Sequence, residues 1–343
     1  MITIDEALEV DNVAELIDDE ALAEIGSLLK SQIEDDDESR SQWIEAQSDW
    51  LKLATQVTEE KGFPWPGAAN IKYPLLTTAT MQFHARALPN LIDPERPVKA
   101  KVRGKDPDGS KARRAERVSK WQSYDLMEVQ EEWYDEMDRM MFALPIVGVC
   151  YKKAYWSTMK GRKTTQLVLP QDLIVNYYAT EFDFARKTHV IPLSNNDLVT
   201  NQRSGFYLDF DMEKSISDYN TENRDETHGL TDSSEQEEGY LVYESHCFLD
   251  LDEDGYEEPY IVTLDSRTGR VLRITANFEP EEVLYNEGME VVRIVPTQHF
   301  TQYIFLPDPN SSVYGLGFGT LLGPTNEATN TIINQLLDAG TLS

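Results

Sequence analysis

Residues 240–276 read YLVYESHCFLDLDEDGYEEPYIVTLDSRTGRVLRITA, and this stretch decides the fold class. Three runs rich in β-branched and aromatic residues, at 240–249, 259–265 and 270–276, are separated by DLDEDGYEE and SRTG. Short runs bounded by turn residues are typical of strands, and short polar connections join antiparallel neighbours. The stretch therefore predicts an antiparallel meander.

Further strands are predicted on both sides of the meander, because the hydrophobic period is two there as well. These runs lie at 145–156, 164–170, 173–178, 188–193, 290–295 and 299–306. Residues 208–239 are strongly acidic and poor in aliphatic side chains, which predicts an exposed, mobile excursion.

Helices are predicted before the sheet. Between residues 15 and 58, apolar residues recur at spacings of three and four, which indicates amphipathic helices. The acidic run 34–38 between them predicts a solvated break or a helix end. A further helix is expected to start near Leu75 and to close before Pro89, since proline lacks the donor that continues a helix.

Two more predictions concern the middle and the end of the chain. Lysines at alternate positions within 93–109 indicate a short strand between loops, and a long helix is expected from Ser110 to about Phe142. Three closely spaced glycines from Gly315 predict a flexible entry into a last amphipathic helix.

The predicted fold class is α+β: long N-terminal helices, then a mixed antiparallel β-rich region, then an amphipathic helix. No repeat of fixed period is present, which disfavours a solenoid or a propeller. The expected regions are an acidic N-terminal helical region at 1–60, a helical region at 61–143, a β-rich region at 144–310 and the start of the last helix at 311–343.

The charge of the chain restricts its functions. Its 343 residues carry 31 Lys and Arg against 61 Asp and Glu, a formal net charge of -30. Such a surface repels phosphate, so tight binding of DNA through counterion release is excluded. A basic cluster at 99–120 could grip phosphates or meet an acidic face of a neighbouring copy of the chain. The subunit contact is favoured, through Lys111, Arg113, Arg114 and Arg117.

Other sequence features argue against secretion and against a membrane. The N-terminus is acidic, and no apolar run reaches the roughly 20 residues that a membrane helix needs, so a cytoplasmically made protein without a membrane partner is expected. Cys150 and Cys247 lie far apart and form no Cys-x-x-Cys pair. We therefore expect both to be reduced and buried, without a disulfide framework.

An acidic stretch is the one candidate for a metal site. Asp250, Asp252 and Asp254, followed by Gly255, match the first half of an EF-hand loop. The twelfth position is Ile261 instead of a bidentate Glu, and strands are predicted on both sides. Glu257 and Glu258 could supply oxygens. An opportunistic Ca2+ or Mg2+ site and an acidic hairpin turn without an ion both remain open, and the turn is favoured.

No catalytic residue and no organic cofactor are assigned. The five histidines show no zinc spacing, and no serine lies in a Gly-x-Ser-x-Gly motif. His246 and Cys247 are adjacent on a predicted strand and so point to opposite faces. The glycines near 315 lack the Gly-Lys-Ser/Thr of a phosphate loop. These observations favour a protein that is not an enzyme.

Three segments together carry a resemblance to a known family. They are GFPWPGAANIKYPLL (62–76), HCFLDLDEDGYEEPYIVTLDSRTGRVLRI (246–274) and VYGLGFGTLLGPTNEATNTIINQLLDAG (313–340). In this order, the segments resemble portal (head-to-tail connector) proteins of short-tailed, double-stranded DNA bacteriophages. The resemblance covers residues 40–343 and rests on the combination of segments.

The resemblance implies a subunit of a ring, a dodecamer, at the portal vertex of a virion, assembled in the host cytoplasm and serving genome packaging, head–tail joining and DNA ejection. Residues 61–310 would form the wing, and residues 325–338 a stem helix. Its polar residues would sit near the channel or against the next subunit: Asn326, Asn330, Asn334 and Gln335. The clip, second stem helix and crown or barrel of the family are expected to be missing from this chain.

The resemblance also implies partners. They are further copies of the chain, the large terminase subunit, tail adaptor or head-completion proteins, and the major capsid and scaffolding proteins. Double-stranded DNA would pass through without sequence specificity, and an acidic lining with few cations would let it slide.

Two alternatives from other classes stay open. One is a divalent-metal-dependent hydrolase or nuclease that uses Asp250, Asp252 and Asp254. The other is a monomeric scaffolding or adaptor protein without a channel.

Overall fold

The computed structural model of the chain describes residues 2–57, 65, 68–157, 160–215, 239–286 and 290–342. It confirms the predicted α+β class. The helices are α1 (Ile4–Glu9), α2 (Asp19–Ala54), α3 (Leu75–Leu91), α4 (Ser110–Tyr124), α5 (Trp133–Val147), α6 (Asn195–Arg203) and α7 (Phe318–Leu342). The strands are β1 (Val149–Ser157), β2 (Arg162–Val168), β3 (Leu173–Val175), β4 (Lys187–Leu193), β5 (Tyr240–Leu249), β6 (Glu258–Asp265), β7 (Val271–Ala276), β8 (Val283–Tyr285), β9 (Val291–Ile294), β10 (Phe300–Ile304), β11 (Leu306–Asp308) and β12 (Ser311–Leu316).

The chain divides into two compact units, each assembled from three segments that are distant in sequence. Unit 1 consists of Met1–Lys52, Leu169–Gln298 and Asp308–Tyr314. Unit 2 consists of Leu53–Val168, His299–Pro307 and Gly315–Ser343.

Unit 1 is built on a five-stranded antiparallel sheet in the order β3-β4-β5-β6-β7. The predicted meander is confirmed, with Val242 opposite Asp265 and Phe248 opposite Pro259. Because side chains alternate along a strand, one face can be apolar throughout. Residues such as Val262 on this sheet pack with Leu29 and Ile33 of α2 in one buried cluster.

Helix α2 corrects the prediction for residues 34–38. The acidic run lies inside one helix of 36 residues and neither breaks nor ends it. Asp36 is 4% exposed and accepts hydrogen bonds from Arg186 Nε (2.7 Å) and Asn176 Nδ2 (2.9 Å). One of the five acidic side chains is therefore compensated inside unit 1, so the run need not be solvated on all sides.

Unit 2 contains a three-stranded antiparallel sheet in the order β10-β1-β2. The strand predicted from residue 145 begins at Val149, because Pro145 lies within α5. The helix ends at Gly148, whose φ of +91° is a conformation that glycine adopts without a Cβ penalty.

Two helix predictions in unit 2 were wrong in detail. Helix α3 continues through Pro89 to Leu91. The side-chain amide of Asn90 donates from Nδ2 to the Arg86 carbonyl (2.6 Å), which satisfies an acceptor in this last turn. The helix expected over 110–142 is divided, since a π-helical turn at Asp125–Val129 separates α4 from α5.

The strand expected within 93–109 does not form. No residue from 92 to 109, all of which are described, belongs to a strand. Instead, the Ser119 hydroxyl donates to the Val98 carbonyl, and the Val98 amide donates to Ser123 Oγ (3.3 Å). Side chains of α4 thus form hydrogen bonds with the backbone groups of Val98, which in a strand would bond to a neighbouring strand.

The first residues of the excursion predicted at 208–239 are hydrogen-bonded to the sheet. Leu208 donates from its amide to the Leu272 carbonyl (2.9 Å), and the Leu241 amide donates to Ser215 Oγ (3.0 Å). Residues up to 215 are therefore joined to the sheet. Residues 216–238 lie outside the described residues, as do 62–64 and 66–67 of the segment GFPWPG.

Among the helices of the described residues, none combines the length and the apolar character that crossing a membrane requires.

Candidate functional site

The loop between β5 and β6, residues 250–258, is called here the acidic hairpin. One carboxylate oxygen from each of Asp250, Asp252 and Asp254 lies within 4.8 Å of those of the other two. Alternate residues meet because the loop is curled by its own hydrogen bonds. The amides of Gly255, Asp254 and Tyr256 donate to Asp250 Oδ2 (3.0 Å), Asp252 Oδ1 (3.2 Å) and Asp254 Oδ1 (2.7 Å), respectively.

Glu258 completes the acidic hairpin as the first residue of β6. It is 1% exposed, and neither of its carboxylate oxygens has a hydrogen-bond partner among the described residues. Asp250 Oδ1 is also buried without a partner. A buried carboxylate without compensation is costly, so these oxygens distinguish the hairpin from an ordinary solvated turn.

The electrostatics of the acidic hairpin follow from this burial. Burial, together with the negative charges of Asp252, Asp254 and Asp250, raises the pKa of Glu258 to about 7. Burial also raises the pKa of Asp252, and its aspartate neighbours act in the same direction. Clustered carboxylate oxygens are the ligands that hard cations such as Ca2+ and Mg2+ prefer. The arrangement could therefore hold a divalent ion.

The last helix, α7, carries the polar residues that the sequence analysis assigned to a channel or a subunit contact. In unit 2, four backbone amides of the segment 69–76 donate to side chains of α7 spaced four residues apart. The donors and acceptors are Ala69 to Asp338 (2.8 Å), Ile71 to Asn334 (2.7 Å), Tyr73 to Asn330 (2.7 Å) and Leu76 to Asn326 (3.0 Å). We call these four acceptors the amide-binding row.

The spacing of the amide-binding row has a simple geometric reason. Four residues of helix advance about 6 Å along the axis, and two residues of extended chain advance about 6.6 Å. Each turn of α7 can therefore meet alternate amides of the extended segment, as at Ala69, Ile71 and Tyr73, and the fourth donor, Leu76, lies in the first turn of α3. Asn326 also caps α3 from outside, because its oxygen accepts from Leu76 in the first turn of that helix.

The amide-binding row corrects the expectation for the asparagines. Asn326 is fully buried and also donates to the Tyr73 carbonyl (3.0 Å), and Asn334 is 6% exposed and donates to the Ile71 carbonyl (3.0 Å). Both amides are used inside unit 2, not presented to a channel or to another subunit. Asn330 is partly exposed, and Gln335 is exposed, as a surface position requires.

An apolar stripe lies on the other side of α7. Leu321, Ile332 and Leu336 are 48%, 57% and 68% exposed. At 100° per residue, these side chains centre on a direction roughly 180° from the amide-binding row. Three of the four polar residues predicted for a channel or a subunit contact belong to the amide-binding row, whereas apolar side chains, which an amphipathic helix normally buries, face outward.

The basic residues assigned to a subunit contact lie on α4. Lys111, Arg113, Arg114 and Arg117 are all exposed. Lys111 Nζ donates to the Lys105 carbonyl (3.2 Å), and Arg113 donates to the Asp108 carbonyl (3.4 Å). Their exposure is compatible with an intermolecular role, which stays a prediction.

Neither cysteine is placed as a reactive nucleophile. Cys150 and Cys247 are buried free thiols, and burial raises the pKa of both, that of Cys247 to about 12. A thiol with a raised pKa is a poor nucleophile at neutral pH. His246 Nε2 lies 3.0 Å from Glu244 Oε1, on the strand face opposite the neighbouring Cys247.

The glycines before α7 have a packing role, not the flexible one that was expected. A Cβ on Gly317 would lie 2.1 Å from the Ile146 carbonyl oxygen, and a Cβ on Gly315 would lie 2.3 Å from the Gly148 oxygen. These glycines allow two backbone segments of unit 2 to touch, and Gly315 belongs to strand β12.

Comparison with protein-family models gives no match for this chain, and comparison with curated proteins gives none either.

Proposed function

We propose that the chain is a subunit of a viral portal, a ring that forms a conduit for double-stranded DNA at one vertex of a capsid. The observation that carries the proposal is the apolar stripe of α7, whose exposed side chains Leu321, Ile332 and Leu336 are suited to a contact with a second copy. An apolar helix face that stays in water is unfavourable, and packing against another helix removes that cost.

A ring needs two different complementary surfaces on every subunit, because its contacts are heterologous. The apolar stripe supplies one pairing surface. The exposed basic residues of α4, Lys111, Arg113, Arg114 and Arg117, offer a second surface, and the chain's excess of 30 acidic charges makes an acidic counterpart on the next subunit easy to provide.

The charge of the chain also agrees with a conduit. DNA that must slide in both directions cannot be held by many cations, because every phosphate contact adds affinity through counterion release. A net charge of -30 leaves the duplex weakly bound in the channel. In this role the subunit performs no catalysis, and the large terminase, tail adaptors and capsid proteins act at its two ends.

The test is the size of the purified full chain in solution, measured by light scattering and by negative-stain electron microscopy. We expect rings, a dodecamer by resemblance, with a hole wide enough for duplex DNA. A chain that remains monomeric at micromolar concentration would contradict the proposal and favour the adaptor alternative.

A pair of neighbouring variants tests the stripe itself. Ile332→Asp places a carboxylate on the stripe, whereas Thr331→Asp places the same group one residue away, about 100° around the helix. Both positions are exposed, so the folded monomer tolerates either change. We expect Ile332→Asp to dissociate the ring and Thr331→Asp to leave it intact. Rings from both variants would exclude the stripe as the contact.

The hydrolase alternative is tested with the same preparations. We expect no ATP hydrolysis and no DNA cleavage in the presence of Mg2+ or Ca2+. Turnover that Asp252→Ala abolishes would replace the portal proposal by a metal-dependent enzyme.

A further inference from the structure

We propose that the acidic hairpin is a Ca2+ site, with carboxylate ligands from Asp250, Asp252, Asp254 and Glu258. This inference goes beyond the proposed function, since a ring conduit does not require a bound ion. The sequence favoured a turn without an ion because the motif lacks its twelfth-position Glu. The structure favours an ion site instead, because of Glu258, the ninth residue of the loop. Glu258 is 1% exposed, and its two carboxylate oxygens have no hydrogen-bond partners among the described residues.

The burial of Glu258 is the central observation. An exposed acidic turn needs no cation, because water solvates its carboxylates. A carboxylate that is removed from water requires a hydrogen-bond donor or a positive charge. Among the described residues no other residue donates to Oε1 or Oε2, only the amide of Glu258 itself favours the charged form, and the charges that act most strongly on Glu258 are those of three aspartates. A divalent cation supplies the missing positive charge.

The loop is also organised for a cation before one binds. Each aspartate has one oxygen fixed by a loop amide, which sets the direction of the whole carboxylate. Ligands on a sphere of about 2.4 Å radius are at most about 4.8 Å apart, as expected for Ca2+. The oxygens of the three aspartates meet this limit, since they lie within 4.8 Å of one another, whereas Glu258 is not part of this set and moves its side chain toward the ion to become the fourth ligand.

Ca2+ is favoured over Mg2+ by the number and the kind of ligands. Four carboxylates, which can bind through one or two oxygens, suit the six to eight ligands and the flexible geometry of Ca2+. Mg2+ prefers a strict octahedron and keeps several waters, so it gains less from a crowded set of carboxylates. The site differs from an EF-hand in its last ligand: a strand, β6, brings Glu258 into the loop, and no helix is needed.

The experiment is calorimetric titration of the full-length chain, freed of metal with EDTA and dialysed, with CaCl2 and separately with MgCl2. We expect one Ca2+ per chain and an affinity for Mg2+ more than about tenfold weaker. Thermal unfolding should shift upward with CaCl2, because an ion that binds only the folded state stabilises it.

Three variants assign the site. Asp252→Asn removes a central ligand, and Glu258→Gln removes the buried ligand and its charge. Glu253→Gln is the matched control, because it removes the same charge from an exposed residue of the same loop. We expect each ligand variant to weaken Ca2+ binding by more than about tenfold, and the control to change it by less than about twofold. Thermal unfolding in EDTA establishes that each variant is folded.

Several results would overturn the proposal. One is the absence of saturable heat with CaCl2 in the wild-type chain. Another is an equal loss of affinity in Glu253→Gln and Asp252→Asn, which would mean diffuse attraction to an acidic loop. A third is wild-type affinity in folded Glu258→Gln, since the inference rests on that side chain. The oligomeric state, measured on the same samples, reports separately on the portal proposal.

Discussion

Two rows of regularly spaced polar side chains behave in opposite ways in this molecule. In unit 1, Asp250, Asp252 and Asp254 recur every second residue and gather their oxygens, and their charges act on the buried Glu258. In unit 2, the amide-binding row recurs every fourth residue along α7, and its oxygens accept from backbone amides. Sequence patterns pointed to the three aspartates and, together with Gln335, to the three asparagines, but not to Asp338 and not to the surroundings of either row.

The difference lies in what surrounds each row. The asparagines are neutral and carry both a donor and an acceptor, so a passing backbone segment can satisfy them completely. Ionised carboxylates only accept, and a cluster of them lacks its own donors. Backbone groups of the chain therefore satisfy the asparagines, whereas the aspartate cluster and the buried carboxylate of Glu258 call for an ion from outside.

The largest effect is expected from the amide-binding row. Asn326→Ala removes two hydrogen bonds and leaves the Leu76 amide and the Tyr73 carbonyl without this partner, which should lower the free energy of unfolding by about 3 kcal/mol. Asn330→Ala, at a partly exposed position with one bond to Tyr73, should cost about 1 kcal/mol. Urea unfolding measures both, and equal losses would mean that burial does not set the value of these bonds.

The second prediction is that one substitution in the acidic hairpin changes the stability of the chain in opposite directions with and without Ca2+. Without metal, Glu258→Gln replaces a buried carboxylate that lacks compensation, so it should stabilise the chain by about 2 kcal/mol. With saturating CaCl2 the order should reverse, because only the wild type gains the full binding energy. Unfolding of both proteins in EDTA and in CaCl2 tests this; a loss of stability in EDTA would show that Glu258 is already satisfied.

The buried cation Lys187 is intermediate between the fully bonded asparagines and the unpartnered carboxylate of Glu258. Lys187 is 4% exposed, and its Nζ donates to the carbonyls of Phe182 (2.7 Å) and Asp183 (2.9 Å). Burial lowers its pKa to about 8, and the charge of Asp183 opposes this shift. Between pH 7 and 9 the unfolded chain then binds more protons than the folded one, so this residue makes stability rise with pH by about 1 kcal/mol.

The check is the pH dependence of urea unfolding for the wild type and for Lys187→Met. The variant lacks the titrating amine, so its stability should lack this increment between pH 7 and 9. Identical pH profiles would mean that the amine keeps its ordinary pKa in the folded chain.

Much of the secondary structure could be predicted because its causes are local. The strands β5, β6 and β7 follow from alternating β-branched and aromatic residues around two polar turns, and their observed antiparallel pairing agrees with the predicted meander. The errors occurred where a distant partner overrode the local signal. Asp36 is paired with Arg186, 150 residues away, and residues near Val98 are held by α4 and not by a strand.

For the candidate sites, too, the local features could be predicted from the sequence and the contacts with distant residues could not. The sequence by itself determined that three aspartates alternate in one loop and that the last helix carries both polar and apolar positions, because a helical period of 3.6 residues follows from backbone geometry. Only the tertiary structure decided that Glu258 is buried without a donor and that Asn326 caps a helix 250 residues away. Whether a polar group is satisfied depends on partners brought by chain folding, and local spacing holds no information about them.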